Sequence, residues 1–171
     1  MADQDELTQH ATQALRAYDR VRPQYEKCAV KIQDMLTDWL DEEQINYQSI
    51  SARAKTRASF RRKAARPAAN DPSQPRYLDP LSAITDLMGA RVITYLPESV
   101  DRVCEVISRE FEVTEHQDKG QLTKQRGHFG YASKHFLVKS KSDRARLSEY
   151  AVLKDKVFEI QVRTAVQHAW A

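Results

Sequence analysis

Two carboxylates stand where a folded chain has to account for them. Asp86 sits inside the otherwise apolar run LSAITDLMGARVITYL, Leu81 to Leu96, and Arg91 follows five residues later. Burying a lone carboxylate is costly unless a cation or a hydrogen-bond donor meets it. Glu159 lies in VFEIQVRT, where Val157, Glu159, Gln161 and Arg163 alternate with Phe158, Ile160 and Val162. A period of two gives a strand one polar and one apolar face. Two carboxylates on the polar faces of core strands suggest a divalent-metal site. Basic residues supply the complement, because Ser51 to Arg66 holds seven Lys/Arg and no acid. Arg53 and Lys55 share one strand face, and Ser59 and Lys63 lie four apart on one helix face, so all four can converge on one oligophosphate at a strand-to-helix turn. The same cluster also reads as a solvated or nucleic-acid-binding surface. The combined outline is an enzyme that handles phosphates with a divalent ion.

The elements that must position these groups follow from periodicity. Leu7, Ala11, Ala14, Leu15 and Tyr18 recur at helical spacing, as do Tyr25, Cys28, Ile32, Met35, Leu36, Trp39 and Leu40. Two amphipathic helices are expected, jointed before Pro23, because the residue preceding a proline is pushed out of helical geometry. A strand over 46–54, a basic helix over 55–66 and an irregular Pro/Asn/Asp/Ser loop over 66–80 come next. The remaining expectations are a strand from Gly89 to Leu96, a helix from Glu98 to Phe111, strands over 111–116 and 131–139, and a last strand over 157–163. Between the third and fourth strands runs a polar loop, Gln117 to Gly130. The strand YASKHFLVK places Tyr131, Ser133 and His135 on one face, a set suited to holding a base and a phosphate. Alternating helices and strands without a dinucleotide-binding fingerprint indicate an α/β or α+β sheet domain. Residues 1–45 read as a helical segment packing on the domain formed by residues 46–171.

The 171 residues, 41% apolar and 30% charged, suit one domain with a real core. The net charge of +3 conceals an asymmetry: residues 1–50 carry ten Asp/Glu against five Lys/Arg, leaving 14 acids and 22 bases in the other 121. The larger part therefore favours an anionic ligand. Cys28 and Cys104 fall in helical segments without metal-ligand spacing, which predicts reduced thiols in a cytoplasmic protein. No apolar run approaches membrane-spanning length, so no membrane partner is expected.

With these pieces in order, the chain resembles the synthetase domain of the RelA/SpoT family, and within it the small stand-alone synthetases. The resemblance rests on ARAKTRASFRRKA (52–64), TDLMGARV (85–92), GYASKH (130–135) and FEIQVRTAVQHAWA (158–171), in family order over residues 49–171. It implies a mixed sheet flanked by helices, related to polymerase-β-like nucleotidyltransferases. It also implies a (p)ppGpp synthetase of the stringent response, moving pyrophosphate from ATP to the 3′-hydroxyl of GDP or GTP, with GMP a further acceptor, and releasing AMP. Arg53 and Arg91 would sandwich adenine, consistent with planar guanidinium groups stacking on aromatic rings. Lys55, Ser59 and Lys63 would grip the ATP phosphates. Asp86 would ligate Mg²⁺, and Glu159 would complete that site or deprotonate the attacking hydroxyl. Tyr131 would stack on guanine and His135 would lie near the acceptor phosphates, with Gln161, Arg163 and His168 assigned to the same acceptor site.

Two departures qualify the resemblance. The family's Lys-Pro-Asn segment before Gly-Tyr is here Gly127, His128 and Phe129, with Arg126 or Lys124 left to supply the charge. Family members also extend the last helix and add others that build a homo-oligomer. Two alternatives therefore stay open: a truncated homologue without catalysis that binds nucleotide or a partner, and a toxin that pyrophosphorylates the tRNA 3′ end. No nucleic-acid partner is expected outside that second alternative.

Overall fold

The structure, a computed structural model, describes residues 2–119 and 133–170. The element order is α1 (Ala2–Glu42), β1 (Tyr47–Ala54), α2 (Arg57–Ala64), α3 (Pro80–Ala83), β2 (Met88–Thr94), α4 (Pro97–Glu110), β3 (Phe111–Asp118), β4 (Lys134–Ser140), two short 3₁₀ turns (Arg144–Arg146 and Ser148–Leu153), β5 (Val157–Thr164) and α5 (Ala165–Ala169). The strands form one mixed sheet in the order β1-β2-β5-β4-β3, with β2 and β5 parallel and the other neighbours antiparallel.

Alternation divides the sheet into two unlike faces. Met88, Ala90 and Val92, Phe158, Ile160 and Val162, and Phe136 and Val138 point into one core with the second half of α1 and with α4. In α4 the spacing Val100, Val103, Val106, Ile107 supplies the matching apolar stripe. Phe111 meets Trp39 on one side and Phe158 on the other edge to face, with ring centroids 5.4 Å apart in both contacts. The opposite face carries the polar alternates. One cross-strand row runs Ser51, Arg91, Gln161, His135, Gln117, and the next runs Arg53, Gly89, Glu159, Leu137, Glu115. A second, smaller core joins Ala11 and Tyr18 of α1 to Phe60 and Ala64 of α2 and to Ile84 and Leu87. It sets α2 and the segment before β2 at the end of β1.

The expected joint in the N-terminal region differs from what is observed. Pro23 does not divide the N-terminal region, since α1 runs through it for 41 residues. An interior proline costs a helix about 3 kcal/mol, whereas burying one large apolar side chain returns ~1.5–3 kcal/mol. Tyr18 on one side of Pro23 and Cys28 and Ile32 on the other are all fully buried, so packing outweighs the proline. The 66–80 loop is irregular as far as Asp79, as expected, and is closed by a bridge between Pro67 and Pro75 and by Arg76 N–H donating to Arg66 O at 2.8 Å.

Candidate active site

The site begins where β1 gives way to α2. The Lys55 N–H donates to Leu87 O at 2.8 Å, tying the exit of β1 to the residue before β2. The Tyr18 hydroxyl donates to Lys55 O at 2.7 Å and lies 3.4 Å from Leu87 O, so α1 clamps the same junction. Burial pushes that phenol up to about 12. Thr56 caps α2 by accepting from the Ser59 N–H at 3.2 Å. Lys55 therefore precedes the helix, Ser59 lies in its first turn, and Lys63 follows one turn later.

Asp86 is not on a strand face, as its setting in the apolar run suggested; it lies in the irregular segment between α3 and β2. Ile84 and Leu87 beside it are buried, which explains the apolar flanks. The cations that a half-buried carboxylate requires are the two lysines. Lys55 Nζ donates to Oδ2 at 2.6 Å and Lys63 Nζ to Oδ1 at 2.9 Å, one on each oxygen. Burial works to raise the Asp86 carboxyl, but both lysines outweigh it and hold it below the ordinary carboxylate range.

Glu159 rises from β5 on the polar face, and His135 Nδ1 lies 2.5 Å from its Oε1. That bond pulls the Glu159 carboxyl below its ordinary range against burial and the neighbouring charge of Asp86. The other ring nitrogen, Nε2, is 2.7 Å from Ser133 Oγ. Both nitrogens of His135 are therefore engaged within the protein.

Two clefts open on this face and share Asp86, Glu159 and Gln161 in their walls. The first, about 370 Å³, adds Arg53, Lys55, Ser59 and Arg91. The second, about 460 Å³, adds Lys63, Glu115, Gln117, Lys119 and His135. The proposed ATP residues thus gather in one cleft, except Lys63, which reaches Asp86 from the other side. Arg163 is buried and lines neither cleft; His168 lies near Arg163 and Arg91. Burial, and then the charges of Arg163 and Arg91, push the His168 imidazole below its ordinary range. Tyr131 and Arg126 lie outside the described residues.

Sequence reasoning did not find Ser133 as the partner of His135, nor Glu115, Gln117 and Lys119 as cleft walls. The strand expected over 111–116 extends to Asp118, and the alternation Glu115, Gln117 was the available signal. Among the described residues no three His, Cys, Asp or Glu side chains cluster to make a complete metal cage. A pair of carboxylates facing one cavity nevertheless suits Mg²⁺, which is held by one or two carboxylates together with substrate phosphates.

The fold is that of the alarmone synthetases. Small alarmone synthetase 1 from Bacillus subtilis superposes with a TM-score of 0.67 at 22% identity, covering 90% of this chain and 74% of that one. A GTP pyrophosphokinase family protein from Streptococcus pneumoniae gives 0.67 at 19% identity, over 90% and 72% of the two chains. The same B. subtilis protein bound to its product pppGpp gives 0.65 at 22% identity, over 91% and 76%. No curated protein matches the chain. Residues 52–171 match the region found in RelA/SpoT proteins, and the chain belongs to that family. It thus carries a domain of (p)ppGpp synthetase type. No helix among the described residues is long and apolar enough to cross a membrane.

Proposed function

We propose that the chain transfers the β,γ-pyrophosphoryl group of ATP to the ribose 3′-hydroxyl of GDP or GTP, with GMP as a further acceptor, and releases AMP. The observation that carries this reading is the pair of clefts that meet at Asp86 and Glu159. A two-substrate transfer needs a donor site and an acceptor site with the reacting atoms at their junction. The pppGpp bound as product by a structural neighbour supports a guanine nucleotide as acceptor.

In the first cleft Arg53 and Arg91 provide guanidinium planes for adenine, and Lys55 and Ser59 offer donors to the phosphates. Asp86 would hold Mg²⁺ together with the substrate phosphates, and the ion when bound would supply neutralising charge to the transferring group. In the second cleft Gln117, Gln161 and Lys119 face the acceptor. Glu159, kept ionised by His135, takes the proton of the 3′-hydroxyl as its oxygen bonds the β-phosphorus. The bond from that phosphorus to the α,β-bridging oxygen breaks, and AMP departs with the oxygen. Lys55 and Lys63 meet the charge that develops on the phosphoryl oxygens.

The test is incubation of folded protein with Mg²⁺, γ-labelled ATP and GMP, GDP or GTP in turn. Label should appear on the guanine nucleotide with an equal amount of AMP. Labelling of tRNA alone, or nucleotide binding without transfer, would overturn the reading.

A further inference from the structure

We propose that Ser133 and His135 are positioning residues for Glu159, forming a hydroxyl–imidazole–carboxylate chain that sets which carboxylate oxygen faces the substrate. The assignment rests on the pyrophosphoryl-transfer reading given above. Its basis is geometric. Ser133 is 3% exposed and His135 8%, so their polar atoms need partners inside the protein. The partners are each other and Glu159, at 2.7 Å and 2.5 Å.

The sheet register makes the contact diagonal. His135 pairs with Gln161 and Leu137 with Glu159, so the imidazole reaches across two residues on one face of adjacent antiparallel strands. An ionised carboxylate only accepts hydrogen bonds, so His135 donates from Nδ1. In the neutral imidazole Nε2 then accepts from the Ser133 hydroxyl, which fixes the tautomer. The neighbouring Gln161 side chain also favours the ionised Glu159, and the charge of Asp86 opposes it. With Oε1 committed to His135, Oε2 is the oxygen that takes the acceptor proton. Ser133 stands one residue before β4 and supports the imidazole from behind.

His135→Asn keeps an amide donor near the place of Nδ1, His135→Gln moves it toward the place of Nε2, and Ser133→Ala removes the hydroxyl. Steady-state rates at saturating ATP, with thermal melts to confirm folding, separate positioning from substrate contact. The expected order is a kcat loss under about tenfold for His135→Asn and Ser133→Ala and about a hundredfold for His135→Gln, with acceptor KM within about twofold of the unsubstituted protein. Equal effects of Asn and Gln, with acceptor KM raised about tenfold and kcat kept, would show that His135 contacts the acceptor directly and overturn the proposal.

A second measurement does not depend on turnover. In protein labelled with ¹⁵N-histidine, the His135 Nδ1 should carry a hydrogen-bonded proton whose resonance moves in Glu159→Gln. A proton on Nε2 alone, or an Nδ1 signal indifferent to Glu159→Gln, would refute the chain. Absence of transfer by the unsubstituted protein, with this signature present, would instead defeat the reaction assigned above.

Discussion

Replacing Asp86 by Asn should move three observables in directions that no simple loss of fold would combine. In the nucleotide-free protein each carboxylate oxygen accepts from one lysine, and the three side chains are 16% (Lys55), 22% (Lys63) and 27% (Asp86) exposed. A hydrogen bond to a charged group contributes roughly 1.5–3 kcal/mol. The Asn oxygen still accepts one bond, so the net loss should be about 2 kcal/mol, or a fall of about 4–8 °C in melting temperature for a chain of this size. Both ammonium groups are then left without an anion and become available to phosphate. A non-hydrolysable ATP analogue, titrated calorimetrically in EDTA, should therefore bind more tightly, by about tenfold if 1.4 kcal/mol of competition is removed. Turnover with Mg²⁺ should nevertheless fall by at least about a hundredfold, because a ligand for the metal is gone. An unchanged melting temperature together with unchanged or weaker metal-free binding would refute the argument that Asp86 competes with phosphate for Lys55 and Lys63.

Other perturbations probe the supports of the site. Tyr18→Phe removes the donor to Lys55 O and should cost ~1–2 kcal/mol in urea unfolding while raising the KM for ATP; a neutral substitution would show that α1 does not clamp the junction. A Cβ at Gly89 would lie 3.5 Å from the Glu159 carbonyl oxygen, an ordinary contact, so Gly89→Ala should fold normally and raise the KM for ATP by filling the floor of the first cleft. Asp86, Glu159 and Glu110 all have carboxyls held below their ordinary values of 3.8, 4.5 and 4.5. Stability from these groups is therefore full above those values and is lost as pH falls through the lower folded ones, so acid unfolding should begin below about pH 4. Glu159→Gln and Asp86→Asn should each flatten that acid limb.

The period of two made β1 and β5 legible, and the stripe of valines and isoleucine made α4 legible, because both patterns are local. Pro23 misled for the opposite reason: its cost is local, but the burial of Tyr18, Cys28 and Ile32 that offsets it depends on the rest of the fold. The diagonal from His135 to Glu159 was out of reach, since nothing in either segment states that β4 and β5 are neighbours with His135 opposite Gln161. Lys55 and Lys63 show the same distinction at the level of charge. Their spacing predicted that both would converge on an anion, and they do, yet the anion they meet is Asp86. A sequence displays donors and their spacing but not which acceptor fills the space between them. A site preorganised for phosphate has to satisfy its cations in the empty state as well. The carboxylate that would hold the metal serves that purpose, and arrival of nucleotide and metal together exchanges one set of ion pairs for another around groups already in place.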